Sequence, residues 1–236
     1  MQGVDTLNIK APFPGLRPFE AAEKDFFFGR ERQLDELLRK IRTTRFLAVV
    51  GSSGNGKSSF IRSMLIPRLQ DGFAGQAGPD WRVCVCNPGN NPLENLSRQL
   101  AQRNVLHGNE KMDPSYPAKI EGMLRNGSLG VVEAFKKSEV QRGENLIIVV
   151  DQFEEIFNFS KKNKRNEEDA ATFINLLLNA SRQKDAPIYV LFTMRSSFIG
   201  ACAEFRGLAE AINDGQFLIP RIKSEDLKRI IVHPIQ

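Results

Sequence analysis

Apolar positions along the chain follow two rhythms. Phe46–Val50 and Leu146–Val150 are apolar at every position, the mark of short strands buried on both faces. Ile188–Thr193 has the same character, Trp81–Cys86 alternates Trp/Val/Val with Arg/Cys/Cys, and Gln216–Ile219 is a shorter fifth candidate. Elsewhere the apolar residues recur at helical spacing. The stretch Phe26–Glu31 opens a helix with Leu34, Leu37, Leu38 and Ile41 on one side, and a second helix starts near Lys57 with Phe60, Ile61, Met64 and Leu65. Pro67 bends or ends it. Further helical patterns cover about 92–103, 117–125, 128–140 and 167–184, and a last one opens at Ser224, where Ser-Glu-Asp reads as a cap with acidic first-turn residues. Strands alternating with helices predict an α/β fold, a three-layer arrangement in which helices cover both faces of a parallel sheet.

Punctuation sets the boundaries. Asn87-Pro88-Gly89-Asn90-Asn91-Pro92 closes the second strand. Pro12, Pro14 and Pro18 keep the N-terminus out of a helix, so residues 1–25 read as an extended arm lying across something. The main domain then spans 26–214, and 215–236 carries the last strand and the helix after it. That final apolar helix has nothing downstream to pack on, which predicts a piece of a longer protein.

Composition narrows the functional classes. Of 236 residues, 41% are hydrophobic and 26% charged, enough apolar surface to exclude disorder over most of the chain. The 33 Lys and Arg exceed the 28 Asp and Glu by five, a balance that suits a phosphate-bearing ligand but is too small to argue for nucleic acid. No apolar run is long enough to cross a bilayer, and the opening MQGVDTLNIKAPFPG lacks a signal peptide, so a cytoplasmic location is expected. Cys84, Cys86 and Cys202, with only His107 and His233 besides, suit buried thiols better than a disulfide framework or a zinc site.

The chemistry is concentrated in three segments. Gly51-Ser52-Ser53-Gly54-Asn55-Gly56-Lys57-Ser58 matches G-x-x-x-x-G-K-[ST] directly after a buried strand and at the opening of a helix. Glycines there let successive backbone N–H groups face phosphate oxygens, and the helix N-terminus adds partial positive charge. Ser53, Gly54, Asn55, Gly56, Lys57, Ser58 and Ser59 are the expected contacts, with Lys57 reaching the β- and γ-phosphates and the Ser58 hydroxyl holding Mg²⁺. In the second segment a strand delivers Asp151 at its C-terminal end, where open α/β sheets bind ligands, and Asp151 is the second expected metal residue. Glu154 or Glu155, about one turn later, could activate the attacking water, with Glu154 slightly favoured by spacing. In the third, Thr193 and Arg195 end another strand toward the same sheet edge, where they could sense the γ-phosphate.

Together these segments resemble the STAND class of P-loop ATPases, specifically the novel STAND NTPase family 1. The likeness runs from Pro12-Phe13-Pro14-Gly15-Leu16-Arg17-Pro18-Phe19 through Phe27-Phe28-Gly29-Arg30-Glu31, similar to the family's hhGRE motif, to Asp151-Gln152-Phe153-Glu154-Glu155 and Thr193-Met194-Arg195. Asn87-Pro88-Gly89 departs from the Arg-Pro-Gly usual in the family. Phe217-Leu218-Ile219-Pro220 and the helix after it look like the entrance to the family's helical lid. The resemblance implies a five-stranded sheet with the P-loop strand central, ATP (or ADP) with Mg²⁺, and Gly29 and Arg30 near the nucleotide. It also implies a signalling switch that self-associates and works with sensor and effector domains of a bacterial multidomain protein.

Other P-loop classes fit less well. A GTPase would carry Asn-Lys-x-Asp, whereas Asn163-Lys164-Arg165-Asn166 ends in Asn, and no Arg-rich lid of a small-metabolite kinase is visible. An initiator-like AAA+ ATPase acting on nucleic acid shares the Gly-Arg-Glu opening, but has Asp-Glu where this chain has Asp151-Gln152. A nucleotide-binding interaction scaffold with negligible turnover is the reading from outside the enzymes. The basic run Lys161–Arg165 reads as a solvated loop balanced by Glu167-Glu168-Asp169, and Phe26-Phe27-Phe28 as packing beside the nucleotide pocket.

Overall fold

Strands apolar on both faces can be buried only if something covers each side, and that requirement organises the fold. The computed structural model describes residues 14–72, 80–108, 113–140 and 143–221. The helix predicted from Ser224, the lid it was to open, and Pro12 lie outside the described residues. The strands β1 (Phe46–Gly51), β2 (Trp81–Cys86), β3 (Asn145–Val150), β4 (Ile188–Arg195) and β5 (Gln216–Leu218) form one sheet in the order β2-β3-β4-β1-β5. Every neighbouring pair is parallel, so each connection must cross over the sheet. The expected three-layer α/β sheet is present. The P-loop strand β1 is interior but not central; β4 holds the middle and separates β1 from β3.

Side chains of a strand alternate between faces, and the two cores follow that alternation. Ala48, Val50, Ile148, Val150, Val190 and Phe192 point into the larger core. It is covered by α4 (Pro92–Leu100), α5 (Tyr116–Asn126), α6 (Gly130–Lys136), α7 (Glu155–Ser160), α8 (Lys164–Arg182) and α9 (Leu208–Gly215). Leu47, Val49, Ile147, Val149 and Leu191 point the other way, against α1 (Glu31–Ile41) and the helix that follows the P-loop. Phe192 stacks on Phe153 at 4.3 Å and meets Phe46 edge-on, which ties β1, β4 and the segment after β3 together. All three cysteines are buried; a hydrogen bond with Cys86 and then burial push the Cys84 thiol up, and burial pushes Cys202 up to about 12.

Two departures from the sequence reading matter for the site. The segment before α1 is not extended throughout, because Ala21–Phe26 forms a 3₁₀ turn with a capping box between Glu20 and Glu23, and α1 begins only at Glu31. The P-loop helix does not stop at Pro67 either. It runs as α2 (Lys57–Ser59), a π-helical stretch (Phe60–Leu65) and α3 (Ile66–Gln70). A π turn directly before a proline accommodates the missing N–H donor and the bulk of the ring.

The junction of α9 and β5 is packed backbone to backbone. A Cβ on Gly215 would stand 2.0 Å from the Phe46 carbonyl oxygen, a neighbour that cannot swing away. Gly215→Ala should therefore lower stability by about 1–3 kcal/mol through overpacking. Denaturant unfolding followed by circular dichroism would show the midpoint fall with an unchanged slope.

Candidate functional site

Strand register brings the three predicted segments together. Gly51 on β1 pairs with Arg195 on β4, and Val150 on β3 pairs with Phe192. The C-terminal ends of β1, β3 and β4 therefore deliver the P-loop, Asp151 and Thr193–Arg195 to one edge.

The loop between β1 and α2 turns on two glycines, Gly54 (φ +75°) and Gly56 (φ +71°), in the left-handed region where a side chain is strained. Among the described residues, its chain neighbours aside, nothing lies within 4 Å of where a Cβ on Gly54 would sit, so the loop is open there. The first N–H groups of the helix that follows have no intrahelical acceptor and carry its positive end. Lys57 Nζ donates to the carbonyls of Gly51 (3.1 Å) and Ser52 (2.9 Å). Its ammonium is held below the ordinary lysine value of 10.5, chiefly by burial; Glu154 opposes the shift, Arg195 adds to it and Asp151 opposes it.

Arg30 stands behind this loop. It is 1% exposed, and its guanidinium donates to the carbonyls of Asn55 (3.2 Å) and Pro220 (2.9 Å). Asn55 Nδ2 reaches the Ile219 carbonyl at 3.4 Å. Arg30 and Asn55 thus tie the loop to the chain after β5. Neither they nor Gly29, whose N–H donates to Glu31, are among the residues that line the cavity in front; Arg30 and Asn55 support the loop from the rear.

Asp151 is the hub in front. It is 2% exposed, and its Oδ1 accepts from Ser58 Oγ (2.7 Å) and Thr193 Oγ1 (2.6 Å). Its Oδ2 accepts from Arg62 Nε and Nη2, both at 3.3 Å. Thr193 Oγ1 also accepts the N–H of Gln152, which is held at φ +57° although it is not glycine. Thr193 thereby fixes the acidic turn, a role that its position at a strand end did not announce.

The two glutamates part company. Glu154, 8% exposed, pairs through Oε1 with Arg195 Nε at 3.1 Å, and its buried Oε2 has no hydrogen-bond partner among the described residues. Glu155 Oε2 accepts the N–H of Gly89 at 2.9 Å, which directs it to the loop after β2 and away from the P-loop cavity.

That cavity, about 540 Å³, lies within the range of small-molecule sites. Ser53, Gly54, Gly56, Lys57, Ser58 and Ser59 line one side, Gln152, Glu154, Thr193 and Arg195 another, and Gly15–Pro18 of the N-terminal segment a third. The donors fit a polyphosphate: an open glycine loop, a helix start, an ammonium and a half-exposed guanidinium. One hydroxyl and one carboxylate, 2.7 Å apart, fit Mg²⁺ arriving with phosphates, an ion that needs few protein oxygens. Gln152 and Gly15–Pro18 lie within the quoted motifs but were given no part in the site, and Arg62 lies outside them; it could have been suspected from its position one helical turn after Ser58.

Sequence comparison matches residues 12–236 to the family described as Novel STAND NTPase 1. The chain belongs to that family. No curated protein sequence gives a significant match. Among solved structures, this STAND NTPase is similar to the ORC2 protein of Aeropyrum pernix, solved as ADPNP-ADP complexes, at TM-score 0.57 and 13% identity over 94% of this chain and 54% of that one. It is also similar to the ORC1 protein of the same organism, solved in complex with DNA, at TM-score 0.54 and 14% identity over 89% of this chain and 50% of that one. The chain thus spans about half the length of these structures, and the likeness is one of fold.

Placing Arg30 behind the loop makes it a stability determinant. Arg30→Met should cost about 1–3 kcal/mol by removing the buried guanidinium's hydrogen bonds to the Asn55 and Pro220 carbonyls. Differential scanning calorimetry without any ligand would register a lower Tm.

Proposed function

We propose that this chain is the ATP-binding and ATP-hydrolysing, Mg²⁺-dependent switch module of a STAND-type signalling ATPase, controlling self-association and the output of effector domains elsewhere in a longer protein. The observation that carries the reading is the buried, half-satisfied carboxylate of Glu154 facing the same cavity as the P-loop. A cavity that only held phosphates would have no use for a desolvated acceptor beside them.

In this reading the loop 53–59 would cradle the phosphates, Lys57 would leave the Gly51 and Ser52 carbonyls for their oxygens, and Ser58 and Asp151 would hold Mg²⁺. The metal, when bound, neutralises charge on the phosphates. The Glu154 carboxylate takes the proton of the attacking water, so the base is Glu154 and not Glu155. Arg195, half exposed and linked to Glu154, can turn to the γ-phosphate and free its partner for that proton. Thr193 keeps Asp151 in place. ADPNP and ADP in the ORC2 structure belong to that protein and support an adenine nucleotide here by likeness of fold. DNA in the ORC1 structure belongs to ORC1; the charge of +5 adds no specific support for nucleic acid, so turnover should be unchanged when DNA is added.

Mutation and calorimetry test the assignment. Lys57→Ala should abolish high-affinity ATP·Mg²⁺ binding. Glu154→Gln should keep binding but slow steady-state phosphate release by about 10²–10⁴-fold, while Glu155→Gln changes turnover far less; equal effects would reject the assignment of the base.

Protonation offers an independent check. Because Lys57 loses its proton at a lower pH than an ordinary lysine, part of the free protein is neutral there on the alkaline side, and a polyphosphate favours the charged form. Binding near the alkaline end of the stable range should therefore take up protons, and titrations in two buffers of different ionisation enthalpy should give different heats. Equal heats would mean that the ammonium does not face the phosphates.

A further inference from the structure

One guanidinium at the metal position has no part in the reading above. Arg62 follows Ser58 by four residues and so shares its face of the P-loop helix. Two of its nitrogens hold Asp151 Oδ2, and the third, Nη1, donates to Glu20 Oε1 at 2.9 Å. Glu20 caps the 3₁₀ turn Ala21–Phe26, and Glu23 in that turn makes a two-pronged pair with Arg17 (2.7 and 2.6 Å). The N–H of Phe19 donates to Ser59 Oγ at 3.1 Å. A single side chain thus bridges the buried metal carboxylate and the segment 14–26, whose first residues wall the cavity.

The two arms of the bridge differ in strength. Asp151 is buried and needs a counter-charge, whereas the Glu20 side chain is 51% exposed and its pair with Arg62 is screened by water. A divalent ion held by Ser58 and Asp151 would supply that counter-charge at the same carboxylate and would repel the guanidinium beside it. Without its buried arm, the bridge is reduced to the exposed one.

We propose that Arg62 is a positioning residue that holds Asp151 in the metal-free site, is displaced when Mg²⁺ binds there with nucleotide, and passes that change through Glu20 to the segment 14–26. The inference rests on the nucleotide reading of this cavity and adds the means by which occupancy is sensed. Linkage makes the coupling reciprocal: a docked segment 14–26 weakens Mg²⁺ binding, and removal of the bridge strengthens it.

Hydrogen–deuterium exchange of the whole chain tests this, with ADPNP in EDTA and then in Mg²⁺, and with calorimetry to establish that nucleotide and metal bind. Adding Mg²⁺ to the ADPNP-loaded protein should speed exchange in peptides covering 14–26 by roughly tenfold. Glu20→Gln leaves the buried Arg62–Asp151 arm in place and should make exchange in 14–26 fast in both conditions. Arg62→Gln should bind Mg²⁺ roughly tenfold more tightly, with Arg62→Lys intermediate. If Arg62→Gln does not fold, Glu20→Gln decides alone. Mg²⁺ bound with no change in exchange, or a Glu20→Gln response as large as that of the unmodified chain, overturns the proposal and leaves the nucleotide reading standing. Absence of ADPNP binding in calorimetry overturns both.

Discussion

A carboxylate with almost no access to water, at the end of a strand buried on both faces, is the constraint on which this structure turns. Asp151, buried there, needs partners for its carboxylate oxygens. It draws Ser58 from the P-loop helix, Thr193 from β4 and Arg62 from the π-helical stretch, and its own N–H is tied to the Cys86 carbonyl at the end of β2. The P-loop helix, β4 and the end of β2, far apart in the chain, are thereby held with β3 at one sheet edge. The sheet order makes this possible: with β4 between β1 and β3, Thr193 is within reach of Asp151 and Arg195 is beside the start of the P-loop.

Charge compensation follows the same plan. Asp151 and Glu154 each have a guanidinium, Arg62 and Arg195 respectively, and Lys57 rests on two main-chain carbonyls. Among the described residues these contacts leave the buried Oε2 of Glu154 without a hydrogen-bond partner. In the proposed function a phosphate ligand with its metal would compete with them.

Much of the fold could be read from the chain because its signals are local. β1 and β3 are uninterrupted apolar runs, and the Leu34, Leu37, Leu38, Ile41 stripe specified α1. The reading was weakest where one feature had to be weighed against another. Pro67 was read as bending or ending the helix, because the widened turn before it could not be foreseen from local propensity. Helix α9, only eight residues long, shows too few apolar positions for a period to emerge. Residues 1–25 were read as an extended arm because of their prolines, whereas the Glu20–Glu23 capping box shapes the turn Ala21–Phe26.

The site divides along the same line. Order and spacing along the chain were enough to locate the phosphate loop, the acidic strand end and the Thr193–Arg195 pair, since each combines a strand terminus with a residue type that has few other uses there. Direction was not readable. Whether Glu154 or Glu155 faces the cavity depends on a left-handed Gln152 held by Thr193; whether Arg30 meets ligand or backbone depends on where the chain returns at Pro220. The sequence by itself determined which chemical groups gather at the sheet edge, because strand ends and glycine turns are encoded within a few residues. Only the tertiary structure decided which of them face the cavity, because that choice belongs to partners forty to nearly two hundred residues away.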